Sequence, residues 1–179
     1  MVSSAETAAG VKIMGVDPDQ EMKVTNLSTK IIDGAYFEGI KRNPVVIGKK
    51  LAEKLNVKVR SKIVITAQDL DNNIMSGAFR VAGIYYTNNN MYDESHIFVR
   101  YSDIQKLTLF PEGACHEIAI SLDDNEFLQP VQDQVKSKAD DLEVLNWQEL
   151  SPEMSYMTES MDLYMYIFII IILLALLFG

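Results

Sequence analysis

Apolar positions along the chain change period several times, and each change predicts a new element. Val11 to Val16 reads as a strand closed by the turn residues Asp17-Pro18-Asp19. Asn26 to Ile32 predicts a short helical turn before Asp33-Gly34, with Tyr36 and Phe37 as core anchors. Val45-Val46-Ile47 is a continuous apolar run of the buried-strand type, and Gly48 passes it into a helix over 49–55 with Leu51 and Leu55 on one face. Ser61 to Gln68 and Gly77 to Thr87 are β-rich runs. Asp69-Leu70-Asp71-Asn72-Asn73 between them reads as a hairpin connection. Ser95 to Val99 adds a strand, and Ser102 is placed to cap a short helix over 103–107.

A second pattern follows Pro111-Glu112-Gly113. Glu117 to Leu122 reads as strand, Asn125 to Lys138 as helix and Leu142 to Trp147 as strand, a compact β-α-β unit of the size of a right-handed crossover. Ser151, Pro152 and Glu153 then form a helix start signal of N-cap, first-position proline and first-turn acid. Leu150, Met154, Met157, Met161 and Met165 recur at spacings of four and three, one stripe of a helix. From Leu163 to Phe178 the chain is almost wholly apolar and uncharged. A buried core helix is one reading of that run. A membrane helix cut short at Gly179 is the favoured one, because a helix apolar all round needs a large protein or a lipid bilayer to surround it. Tyr164 and Tyr166 stand at its start, where aromatic rings favour the headgroup region, and 151–162 carries acids but no Lys or Arg, which places that flank outside the cell.

The expected fold class is therefore α+β: a β-rich subdomain over 1–112, a small α/β subdomain over 113–150, and an amphipathic helix over 151–179 that becomes a truncated transmembrane segment. The 179 residues are 48% hydrophobic and 23% charged, a composition of folded protein. Net charge of -9 excludes nucleic acid as a partner, since that affinity comes from clustered Lys and Arg. Met1 to Gly10 lacks the basic and apolar regions of a secretory signal.

No motif for covalent chemistry or metal binding is complete. Ile47-Gly48-Lys49-Lys50 resembles a P-loop only in part, with Asn43 at the first glycine and Lys50 where Ser or Thr would hold magnesium. Asp69, Asp71 and Asn73 open like an EF-hand loop, but Ile74 takes the glycine position and Arg80 that of the bidentate Glu. His96 and His116 belong to no short metal-ligand pattern, and the single cysteine, Cys115, makes neither a disulfide nor, beside His116, a nucleophile-base pair. The expectation is of no catalysis, no cofactor and no metal.

Four motifs in order carry a resemblance: Gly15-Val16-Asp17-Pro18, Gly34-Ala35-Tyr36-Phe37, the run from Val45 to Leu55, and Phe79-Arg80-Val81-Ala82-Gly83-Ile84-Tyr85. Their order and spacing resemble the extracytoplasmic core domain of MacB/FtsX-like ABC-transporter permeases, nearest to the lipoprotein-releasing branch (LolC/LolE-like). Arg60-Ser61 departs from the Gly-Asp that the family commonly has at a turn. The resemblance implies a periplasmic domain on the bacterial inner membrane, coupled through membrane helices to a separate cytosolic ATPase and paired with a second permease subunit. It also implies that the hairpin of Asp69, Leu70, Asp71, Asn72, Asn73 and Ile74 is a contact site for a periplasmic carrier or lipoprotein, a role its shortness here weakens. The stripe of Met154, Met157, Met161 and Met165 is a candidate interface with a partner helix or cargo. The competing functions are an FtsX-type regulator of a cell-wall hydrolase and a tail-anchored binding protein.

Overall fold

The structure, a computed structural model, describes residues 1–69, 71–139 and 141–178; for 153–155, 157–159, 162 and 178 it describes the backbone alone. Contacts divide the chain into two units, Met1–Ile120 and Ser121–Gly179.

The first unit is organised by one mixed sheet. Among the described residues its strands are β1 (Val2–Ser3), β2 (Ala8–Ala9), β3 (Lys12–Val16), β4 (Ile31–Gly34), β5 (Pro44–Gly48), β6 (Lys62–Gln68), β7 (Ile74–Tyr85) and β8 (His96–Arg100). Their spatial order is β2-β1-β6-β7-β5-β8-β3, with β4 also paired to β7. The long strand β7 serves two ladders in succession. Its first part pairs antiparallel with β6, from Gln68↔Ile74 to Lys62↔Arg80. Its second part pairs parallel with β5 and antiparallel with β4.

Within the β5–β7 ladder the register slips: Val45 opposes Val81, but Val46 opposes Gly83, leaving Ala82 as an extra residue. Such a bulge reverses which face the following side chains occupy. Phe79 and Val81 therefore share a core with Ile84, while Tyr85 enters the core on the other face. Both faces of β5 are covered, Val45 and Ile47 by α2 (Lys49–Lys54) and Val46 by Phe37, Tyr85 and Phe98. That is why the chain is continuously apolar there instead of alternating.

Three helices of this unit have sequence origins that differ from expectation. Asp17-Pro18-Asp19, read as a turn, is the start of α1 (Pro18–Val24): the Asp17 carboxylate accepts from the Asp19 and Gln20 backbone N–H groups at 3.0 and 3.3 Å, and Pro18 takes a first-turn position that needs no donor. Helix α3 (Asn90–Ser95) was not expected; Asn89 caps it by accepting from Tyr92 N–H at 3.1 Å. Helix α4 (Tyr101–Thr108) begins two residues before the expected span, so Ser102 lies inside it and Arg100 occupies the cap.

The expected β-α-β unit does not form. Glu117 to Leu122 and Leu142 to Trp147 contain no strand among the described residues. A strand exists only against a hydrogen-bonding neighbour, and here Ile118 and Leu142 are 74% and 65% exposed with no ladder beside them. The second unit is instead helical: a 3-10 turn (Asn125–Phe127), α5 (Leu128–Lys136), α6 (Trp147–Leu150) and α7 (Pro152–Phe178). The apolar run over 163–178 is helical as expected, within α7. Among the described residues no helix is long and apolar enough to cross a membrane.

Gly48 couples β5, α2 and α3, since a Cβ there would collide with the Asp93 backbone. Gly48→Ala is expected to lower the urea midpoint by the equivalent of about 1–3 kcal/mol, the usual cost of overpacking. Gly10→Ala, which adds its methyl to open space, should leave that midpoint unchanged.

Candidate functional site

The β6–β7 hairpin is the most sharply built of the expected contact residues. Its ladder runs to the Gln68↔Ile74 pair, leaving Asp69 to Asn73 as the connection. Asp69 organises that connection with both backbone and side chain. Its N–H donates to the Asn73 carbonyl at 3.0 Å, and its carbonyl accepts from Asn72 N–H at 3.2 Å. Its Oδ1 accepts from the Asp71 and Asn73 backbone N–H groups at 2.9 and 2.8 Å, and its Oδ2 from Asn73 Nδ2 at 3.0 Å. Asn72 supplies the left-handed residue the turn needs, at φ 64°. The Asn73 side-chain amide and then the backbone donors hold the Asp69 carboxyl below its ordinary pKa. The carboxylate that the sequence likens to an EF-hand ligand is thus engaged by its own loop.

Beyond the turn, Ile74 is 73% exposed and Thr66 Oγ1 pairs with Ser76 Oγ at 3.0 Å across the two strands. The outer edge of β6 is covered by β1 as far as Thr66, where Met1 adds backbone bonds in both directions. An apolar residue is thereby presented at the end of a two-stranded arm that is stiff at its base and closed at its tip. Leu70 lies outside the described residues.

The methionine stripe is divided. Met161 and Met165 are 69% and 54% exposed on α7, and the side chains of Met154 and Met157 lie outside the described ones. From Leu163 onward exposure extends around the whole helix, so the stripe merges into a uniformly apolar surface. At the start of the second unit's last helices, Asn146 and Glu149 form a reciprocal cap: Asn146 Oδ1 accepts from Glu149 N–H and Glu149 Oε2 accepts from Asn146 N–H, each at 2.9 Å. Gln132 of α5, buried, donates through Nε2 to Glu149 Oε2 at 2.7 Å and to the Val144 carbonyl at 3.1 Å. The Asn146 backbone N–H, then the Gln132 amide, hold the Glu149 carboxyl below its ordinary value. Asn followed three residues later by Glu was a readable helix-start signal there.

The remaining chemical candidates have structural engagements. Lys49 and Lys50 open α2 beside Gly48, where the Asp93 backbone occupies the space in front of the glycine. His96 stacks on Tyr92 at 4.1 Å and its Nδ1 shares a 2.9 Å hydrogen bond with Ser95 Oγ. His116 stacks on Phe110 at 4.4 Å, and Cys115 is exposed. Among the described residues no group of three or more His, Cys, Asp or Glu is arranged to hold a metal. Asp93, which the sequence did not single out, is fully buried and accepts from Thr87 N–H and, at 2.6 Å, from Thr87 Oγ1. It ties the end of β7 to α3. Only the fold brings those residues together.

Residues 1–138 match the MacB-like periplasmic core domain, a stretch that takes in the whole sheet and α5. A comparison with curated proteins gives no match.

The order of the hairpin tip has a defined pH dependence. A carboxyl whose folded pKa is depressed contributes order that is present above the ordinary carboxylate range and lost as pH falls through the depressed value. The Asp71 and Asn73 amides are therefore expected to be protected from hydrogen exchange at pH 7 in the wild-type chain and unprotected in Asp69→Ala. Protection factors for the two proteins should converge on acidification.

Proposed function

This chain belongs to the MacB-like periplasmic core domain family, the extracytoplasmic domains of ABC-transporter permeases, and we propose that it transmits ATP-driven motion from the cytosol to an extracytoplasmic substrate such as a lipoprotein. The observation that carries the reading is the family match over residues 1–138. In this reading the chain performs no covalent chemistry. A separate cytosolic ABC ATPase hydrolyses ATP, a second permease subunit completes the transporter, and the whole sits in a bacterial inner membrane with this domain on the periplasmic side. In the lipoprotein-releasing form of this reading, the exposed Ile74 beside the short β6–β7 turn is the residue offered to a carrier or cargo.

The second unit supplies the connection to the membrane. Helix α7 runs without interruption from Pro152 into the uncharged apolar segment, so a displacement at one end is carried along a hydrogen-bonded rod to the other. Its apolar surface is exposed on all sides from Leu163 onward and needs a hydrocarbon or protein environment. The methionine stripe at its polar end is suited to a surface that changes partners, because thioether side chains are unbranched and repack readily.

The test uses the parent permease co-expressed with its ATPase, with Cys115 replaced by Ser and one cysteine placed at Met161 or Met165. Cross-linking yield between subunits or to cargo should change with ATP at both positions, and not at Tyr156 or Ser160, which lie off the stripe. Nucleotide-independent yields at all four positions would reject a motion-transmitting role. Co-purification of a cell-wall hydrolase in place of cargo would assign the regulatory alternative.

A further inference from the structure

A cleft of about 370 Å³ in the first unit is lined by Lys41, Arg42, Arg60 and Arg80 together with Gly39 and Ile40. Four cations and no carboxylate line it, in a chain whose acids outnumber its bases by 25 to 16. Among the described residues none of the four is ion-paired. A fifth cation, Lys62, stands directly opposite Arg80 in the β6–β7 ladder, a cross-strand arrangement of like charges that is unfavourable by itself.

The cleft is assembled from β7 itself and two separate segments pinned to it near Arg80. The loop before β5 is tied down by Arg80 N–H donating to the Asn43 carbonyl at 2.9 Å and by Asn43 Nδ2 donating to the Ala78 carbonyl at 2.9 Å. The turn before β6 is tied by Arg60 N–H donating to the Val81 carbonyl at 2.7 Å. Arg80 Nη1 donates to the Arg60 carbonyl at 3.3 Å, which orients its guanidinium and leaves most of its donors unused. Arg60 itself adopts φ 72°, a left-handed backbone that favours glycine. An arginine held there, among other cations, is unfavourable for the fold twice over.

We propose that this cleft binds a phosphate-bearing anion, with Arg60 and Arg80 as its principal ligands and Lys41 and Arg42 closing on it from the opposite loop. A tetrahedral oxyanion accepts several charge-assisted hydrogen bonds from guanidinium forks at once and relieves the repulsion among the four cations. A soluble phosphate ester and an anionic lipid headgroup present the same chemistry. The inference goes beyond the transport reading and stands without it.

Calorimetric titration of the full chain in nonionic detergent with inorganic pyrophosphate should show saturable binding that tightens as salt is lowered. Arg60→Gln with Arg80→Gln should weaken it at least about tenfold, while Lys23→Gln with Lys106→Gln, the same change of charge elsewhere, should not. Arg60→Gly should weaken binding and at the same time raise the urea midpoint, a split that a structural role for Arg60 would not produce. Competition by dihexanoyl phosphatidylglycerol below its micelle concentration, but not by dihexanoyl phosphatidylcholine, would make the source a lipid headgroup; pyrophosphate binding without such competition would make it a soluble phosphate. No pyrophosphate binding, an equal loss in the control variant, or equally tight binding of hexaglutamate would overturn the proposal.

Discussion

The first unit depends on one strand being paired along both of its edges, with a slip in register partway. β7 receives β6 and then β4 on one side and β5 on the other, and the extra residue Ala82 lies where the β6 ladder has ended and β5 is engaged. Backbone donors and acceptors in a buried strand must all find partners, so this pairing leaves little freedom in where the neighbouring strands sit. The slip then distributes large side chains to two cores, Phe79 and Val81 to one and Tyr85 to the other. Without it, Tyr85 would face the core already filled by Ile47, Leu51 and Ile97, and the cover formed by Phe37, Tyr92 and Phe98 would lose its centre.

Features proposed for function radiate from the same strand. Its N-terminal part leaves the sheet as the β6–β7 arm, so the exposed Ile74 is supported by the seven-pair ladder behind it. Arg80, at the junction of the two ladders, receives the loop before β5 on one side and the turn before β6 on the other. A contact arm and a cationic cleft on one continuous strand are mechanically joined, because displacement of either must strain the ladder between them. The helical unit is held differently, by the side-chain network of Gln132, Asn146 and Glu149, in which a buried amide has its partners on α6 and the preceding chain.

Much of the strand content of the first unit was legible from local pattern. Continuous apolar runs at Val45-Val46-Ile47, and β-branched segments at 61–68 and 77–87, need no distant partner to be recognised as strands, since β-propensity and period are properties of neighbouring residues. The hairpin between β6 and β7 was legible for the same reason: its turn chemistry lies within five residues. The missed helix starts at Asp17 and Asn89 were also local, and were obscured because Asp-Pro-Asp and a run of asparagines read equally well as turns.

What the sequence determined by itself was the identity and order of the sheet strands from 11 to 100 other than β4, whose Ile31 and Ile32 it read as the end of a helical turn, the start of the last helix at Pro152, and the absence of charge from its far end. Tertiary structure alone decided the rest. The segments 117–122 and 142–147 have strand-like composition, but a strand requires a hydrogen-bonding neighbour, and neither has one. The cleft at Arg60 and Arg80 was equally invisible, because the Lys41-Arg42 pair, Arg60 and Arg80 stand 18 to 39 positions apart and converge only through the ladders of β5, β6 and β7. Local pattern reports what one residue asks of its neighbours along the chain; pairing, register and charge convergence depend on distant residues, which only the folded backbone brings together.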